Sequence, residues 1–235
     1  MLNIGILDAF PPDKIKIDWD TTPVDAYIRF LEQTSPPFSY TGYAITQGEF
    51  PATLDACDAY LITGSPRGVY DPDPWIAQLM EFIRASFQAG KRLVGICFGH
   101  QILAHALGGC AAKSEKGWGL GLKTFNINVP KIWMNAVPDS CALYFVHQDQ
   151  VTQLPPEAEL LGGNDFCPNL FFSIDNQVFG IQGHPEFTPG LMRAIIDTRK
   201  RIVGAEPYVQ ALDSLDSGTP DNRLFAQWIA NFLTS

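Results

Sequence analysis

Basic residues are scarce in this chain. Lys and Arg number 16 against 25 Asp and Glu, giving a formal charge of -9 and a pI near 4.8. Such a surface on average repels nucleic-acid phosphates and anionic membranes, and neither is expected as a partner. Charged residues of both signs make up only 17% of the sequence, too few for a coiled coil or a long disordered tail. Long apolar runs are missing too, since none approaches the ~20 residues that span a bilayer. The N-terminus, Met1 to Asp8, has no basic stretch and meets an acid by position 8, so it reads as a buried strand and not as a signal peptide. Cysteines are few, odd in number and without close pairs: Cys57, Cys97, Cys110, Cys141 and Cys167. That pattern fits reduced thiols in a cytoplasmic protein better than a disulfide framework. His100 and His105 are five apart and cannot share a helix face as a zinc pair would, and nothing indicates a metal or an organic cofactor.

What the chain does have is length and apolar content. With 235 residues, 46% of them hydrophobic, it can hide roughly 70% of its extended surface on folding, enough for a full core. Short apolar runs at 2–7, 43–46, 59–63 and 93–96 read as buried strands, alternating with helical spacing at 24–33, 75–89 and 98–107. That order predicts an α/β fold, a mostly parallel sheet with helices on both faces. From 109 to 182 short strands at 120–128, 142–146, 159–162, 170–174 and 178–182 predict an antiparallel extension at one edge. Helices follow at 189–203, 207–215 and 220–233, the last with Thr219 as N-cap and Pro220 at its first position. No repeat or linker appears. The expectation is one domain over 1–235, with a core of about 1–195 and a C-terminal helical extension of about 196–235.

The sharpest motif is Leu93-Val94-Gly95-Ile96-Cys97-Phe98-Gly99-His100-Gln101, a strand running into a helix with Cys97 at the corner. Glycines two positions to either side have nucleophile-elbow spacing, which holds the middle side chain exposed above the sheet. At a helix N-terminus, unpaired N–H groups and the positive dipole end favour a thiolate. A lone cysteine at a strand end is usually core filling, but two glycines in register make that reading the weaker one. A thiolate needs a base, and His184 stands in Gly183-His184-Pro185-Glu186 after an apolar strand. In extended chain, residues two apart point the same way, so Glu186 can orient the His184 imidazole. Taken singly His-x-Glu is a surface pair; with Cys97 it becomes a candidate triad.

These two motifs, in this order and separation, resemble the class I (triad) glutamine amidotransferases over roughly residues 3 to 195, and more narrowly the stand-alone branch that includes GMP-synthase-like amidotransferases and γ-glutamyl peptidases. The resemblance implies a flavodoxin-like fold in which Cys97 attacks the γ-carboxamide of glutamine, His184 is base and acid, and Glu186 orients it. It also implies a γ-glutamyl thioester that is hydrolysed after ammonia leaves. Gly64-Ser65-Pro66 stands where the family usually shows Gly-Gly-Pro; backbone N–H groups of Gly64 or Ser65, with that of Phe98, resemble the oxyanion hole. The donor is backbone, so Ser65 is compatible with it. Gln101 matches a residue that contacts the substrate, and His147, Gln148 and Asp149 match the segment whose backbone reads the substrate's α-amino and α-carboxylate ends.

The remaining features have plainer explanations. Leu122 stands where a P-loop needs glycine before Lys123. His100 reads as support behind the elbow and His105 as a partly exposed helix residue, while the other four cysteines read as core fillers. Asp71-Pro72-Asp73-Pro74 reads as a capped helix start. About fifty residues follow the Gly-His-Pro-Glu motif, too few for an ATP-binding domain. The first expectation is therefore an amidotransferase that releases ammonia from glutamine for a separate synthetase or acceptor protein. The alternative is a γ-glutamyl peptidase acting on γ-glutamyl peptides or glutathione conjugates. A non-catalytic binding protein of the same fold is disfavoured by the intact Cys97, His184 and Glu186.

Overall fold

The computed structural model describes residues 1–14 and 21–235. Apolar Leu2–Leu7 forms β1. Thr22 caps α1 (Pro23–Glu32) by accepting the Asp25 N–H, with Pro23 opening the first turn. β2 (Phe38–Tyr43), β3 (Ala59–Ile62), α2 (Pro74–Gln88), β4 (Arg92–Ile96) and α3 (Phe98–Ala106) complete the first half. Then come β5 (Cys110–Lys113), β6 (Gly119–Ile127), β7 (Ser140–His147), β8 (Asp149–Gln153), β9 (Glu159–Gly163), β10 (Phe171–Ile174) and β11 (Val178–Ile181). Three helices close the chain: α4 (Pro189–Val203), α5 (Ala205–Ser214) and α6 (Asn222–Thr234).

The main sheet runs β2-β1-β3-β4-β11-β10-β9-β6-β7. Its first five strands pair in parallel, in the flavodoxin-like order. The rest are antiparallel. The expected α/β architecture is thus observed. Under one face α1 and α6 bury Tyr27, Phe30, Phe225, Trp228 and Phe232 with the strand residues Phe171 and Phe179. On the other face α2 and α3 cover Leu93 and Ile62 with Leu79, Ile83, Ile102 and Leu103. A third cluster packs α4 and α5 on β6 and β7 through Leu120, Tyr144, Met192 and Ile196.

Four local expectations are corrected. The strand expected at 43–46 is displaced: β2 ends at Tyr43, and Ile45–Gln47 is a 3-10 turn closed by Gly48 at φ 84°. β11 belongs to the parallel half, beside β4, because it must cross back to the sheet centre. β5 and β8 form a separate two-stranded ribbon that short polar-flanked runs did not reveal. The cap of α6 is Asp221 and not Thr219; its carboxylate accepts the Ala142 N–H and its own N–H bonds Ala142 O, which fixes the turn two residues further on.

Candidate active site

Five parallel strands end on the same side, and the loops after β3, β4 and β11 meet there, outside the carboxyl ends as expected for an open α/β sheet. Cys97 sits between β4 and α3 with φ 56° and ψ -104°, a conformation that costs a non-glycine residue about 1–3 kcal/mol. The flanking glycines allow it for steric reasons. A Cβ on Gly95 would lie 2.4 Å from the Gly99 carbonyl, and one on Gly99 would lie 2.2 Å from Ile62 O, so α3 presses directly on the sheet. The Cys97 N–H is bonded to Ile181 O at 2.9 Å and its carbonyl accepts the Gln101 N–H. The next N–H groups, of Phe98 and Gly99, belong to the first turn of α3, which has no intrahelical acceptors.

His184 is carried by an isolated bridge to Tyr144, with its N–H on Tyr144 O at 2.8 Å. The chain then turns rather than extending, so the reach of Glu186 to His184 is made across a turn and not along a strand. The Nδ1 to Glu186 Oε1 distance is 2.7 Å, with both side chains buried. The acceptor being a carboxylate, Nδ1 carries the proton. Nε2 bonds no nitrogen or oxygen among the described residues, and the Cys97 sulfur faces the ring. Burial alone would strip the imidazole of its charge, but Cys97 and Glu186 outweigh it and hold the His184 pKa up at about 10. Phe187 stacks on the ring, with centroids 4.1 Å apart and planes 7° apart.

The expected oxyanion donors separate. The Gly64 N–H is spent on the Tyr27 hydroxyl at 2.8 Å, which removes Gly64 from the candidate donors and leaves Ser65 and Phe98. Ser65 turns its Oγ to the Arg67 N–H at 3.2 Å. Gln101, His147, Gln148 and Asp149 all line the cavity in front of Cys97, but several of their polar groups are engaged inside the protein. The Gln101 amide nitrogen donates to Asp149 O at 2.8 Å and to Gln182 Oε1 at 3.0 Å. Asp149 O also accepts His147 Nδ1–H at 2.9 Å, and Gln148 O accepts the Ser114 N–H. Asp149 O thus has both lone pairs engaged, whereas Gln148 O keeps one for a further donor. Burial, the largest influence, pushes the His147 pKa down to about 4, so this ring is neutral at pH 7.

Sequence reasoning missed three contributors. Tyr27 of α1 accepts from Gly64 and faces Glu186; burial first, then the Glu186 charge, pushes its pKa well up. Gln182 directs its Nε2 to Cys97 Sγ at 3.5 Å. Arg199, on α4, lies over the Trp118 ring at 5.6 Å, and both line the cavity. None stands in a motif, and only the fold brings them to Cys97. His100, expected behind the elbow, is fully buried against Phe172, and burial holds its pKa at about 3. His105 is half-buried as expected; Cys57, Cys141 and Cys167 are buried as core fillers, whereas Cys110, expected with them, is only half-buried. Asp73 occupies the N-cap position of α2 without a side-chain cap bond, because its carboxylate pairs with Arg67 at 3.3 Å. Among the described residues no group of three or more His, Cys, Asp or Glu could hold a metal ion, and no helix is long and apolar enough to cross a membrane.

Comparison with known proteins supplies the lineage. The family model for class I glutamine amidotransferases matches residues 24–199. γ-Glutamyl peptidase 3 of Arabidopsis thaliana is 32% identical over 201 residues, covering 81% of each chain. A glutamine amidotransferase-like protein of Gibberella zeae is 27% identical over 203 residues, covering 83% of this chain and 82% of its own. Among solved structures, a glutamine amidotransferase of Thermotoga maritima superposes with a TM-score of 0.77 at 18% identity over 99% of both chains. A cysteine at a strained strand–helix corner, with His and Glu delivered by the loop after the adjacent parallel strand, thus sits in a chain that belongs to the class I glutamine amidotransferase family.

Proposed function

We propose that the protein hydrolyses γ-glutamyl amide bonds through a thioester on Cys97. The observation that carries this reading is the line Cys97, His184, Glu186, all three buried, with Cys97 and His184 lining a cavity and the imidazolium favoured by the Cys97 sulfur on one side and the Glu186 carboxylate on the other. The Cys97 thiolate attacks the γ-carbonyl carbon and the C–S bond forms. The oxygen takes the negative charge, met by the Ser65 and Phe98 N–H groups. The C–N bond then breaks as His184 Nε2–H gives its proton to the departing nitrogen. Water, deprotonated by the now neutral His184, attacks the thioester, the C–S bond breaks, and glutamate and the thiolate are released. Glu186 keeps the Nδ1 proton in place and steadies the imidazolium throughout.

The leaving nitrogen is the amine of a γ-glutamyl peptide more readily than ammonia from glutamine. The cavity in front of Cys97 has a volume of about 610 Å³, within the ~300–1,000 Å³ of sites that enclose drug-sized ligands and larger than a single amino acid needs. One relative, 32% identical over 81% of each chain, is named a γ-glutamyl peptidase. The second reading, ammonia release from glutamine for a separate synthetase, is favoured by the family match itself. A side-by-side assay of ammonia release from glutamine and amine release from γ-glutamyl dipeptides decides between them. Faster glutamine turnover favours the second, and no turnover of either, with Cys97 intact, overturns both.

A further inference from the structure

The cavity contains cations that are not equivalent. Arg67 is paired with Asp73 at 3.3 Å. Lys113 lies beside Asp149, whose carboxyl it draws down against a larger push upward from burial, and the same carboxylate accepts the Tyr70 hydroxyl at 2.9 Å. Arg199 differs from both. Its guanidinium lies over the Trp118 ring, Nε is buried with no hydrogen-bond partner, and no carboxylate pairs with it among the described residues. Asp197, its neighbour on α4, is occupied by the Tyr208 hydroxyl at 2.8 Å.

An arginine in this state is unusual in a chain with 25 acids to 16 bases, where a carboxylate to satisfy it is easily supplied. The planar group stacked on an indole is fixed in orientation before any ligand arrives, and its fork matches two carboxylate oxygens. Around it the wall is apolar and aromatic, with Trp118, Phe187 and Ile195. On the wall formed by α4, away from the β8 segment, the cavity thus offers a positive charge that no carboxylate among the described residues pairs with, beside apolar and aromatic side chains.

We propose that Arg199, braced by Trp118, binds the free carboxylate of the residue that leaves, so that the enzyme selects γ-glutamyl peptides with an open C-terminus over their amides and over free glutamine. This assignment rests on the γ-glutamyl hydrolase reading above. It makes Arg199 a specificity residue that touches substrate remote from the reacting carbonyl.

The test compares a γ-glutamyl dipeptide acid with its C-terminal carboxamide, each bearing the same glutamyl end. Wild-type protein is expected to favour the acid about tenfold or more in kcat/KM, chiefly through KM, as a charge-assisted bond implies. In Arg199→Ala the acid-to-amide ratio falls to near one, and Arg199→Lys retains part of it. A wild-type ratio near one, or an unchanged ratio in Arg199→Ala, overturns the proposal; the second result places Arg199 on the glutamyl end or outside the site. Calorimetric binding of the same two compounds to Cys97→Ala reads the ratio without chemistry. Acid-selective binding with no turnover by the wild type sinks the hydrolase reading and leaves Arg199 standing, whereas turnover without selectivity sinks Arg199 alone. Binding of neither compound overturns both.

Discussion

His184 is held between opposing influences, and their balance can be measured. Burial favours the neutral ring, while the Cys97 thiolate and the Glu186 carboxylate favour the imidazolium and win, placing the folded pKa at about 10 against ~6.5 for free histidine. A pKa raised by folding stabilises the protein fully below the unfolded value and loses that contribution as pH rises through the folded one, so stability from this pair erodes between about pH 6.5 and 10. The same proton is needed by the leaving amine, and activity should decline on the alkaline side near the same point. Glu186→Gln removes one of the two supporting charges, so the His184 pKa falls and the alkaline limb moves to lower pH, readable by NMR titration of the ring and by a pH–rate profile. A limb that stays in place would show that Cys97 alone sets the charge. His184→Ala should cost about 10²–10⁴-fold in single-turnover acylation, and Glu186→Gln less. Tyr27→Phe is a subtler case. It removes the bond of the Gly64 N–H and the hydroxyl facing Glu186, so kcat should fall several-fold and the pH limb shift with it. Unaltered kcat and pH profile would reduce Tyr27 to a core filler.

Among the elements, the β4–Cys97–α3 unit was readable in the sequence because its constraint is local. Gly95 and Gly99 are small for a steric reason that any strand-to-helix corner of this kind imposes. Gly99→Ala places a Cβ 2.2 Å from Ile62 O, a backbone atom with nowhere to go, so α3 must lift from β3. The expected outcome is loss of several kcal/mol of stability together with activity, seen as a lowered midpoint in denaturant; an unshifted midpoint would mean that α3 can slide. The His184–Glu186 pair was also legible, but for a reason that the fold amends. Extended geometry suggested the spacing, whereas a turn after the Tyr144 bridge delivers it. What escaped the sequence is what depends on distant elements meeting. Tyr27 comes from α1, Gln182 from the end of β11 and Arg199 from the third turn of α4, and each is an ordinary residue until the sheet order sets it beside Cys97. The β5–β8 ribbon was missed likewise, and it takes up the Asp149 region whose carbonyls were expected to face substrate.

For the molecule as a whole, the C-terminal residues are where the linear reading and the fold diverge most. The region after 195 reads as an extension of a finished core, since its helical periodicity says that it packs on something without saying on what. In the structure α6 supplies Phe225, Trp228, Ile229 and Phe232, all fully buried, and it meets α1 across the face that carries the catalytic candidates' support. Trp228 also donates its indole N–H to Asn135 O at 2.8 Å and stacks near Phe171, while Arg92 at the start of β4 reaches Leu233 O. Truncating a buried Phe or Trp to Ala costs about 3–5 kcal/mol each, against a total of about 5–15 kcal/mol for a domain. Trp228→Ala alone should therefore lower the melting temperature by roughly 6–20 °C at ~2–4 °C per kcal/mol. A chain ended at Thr219 should lose cooperative unfolding altogether and bind a hydrophobic dye, because Phe171 and Phe179 lose their cover. Should the shortened chain melt cooperatively near the full-length temperature and still turn over substrate, residues 1–219 would be self-sufficient and α6 a true appendage. The buried aromatics argue the reverse: the Cys97 corner stands on a sheet whose rear face is closed only when the last helix docks.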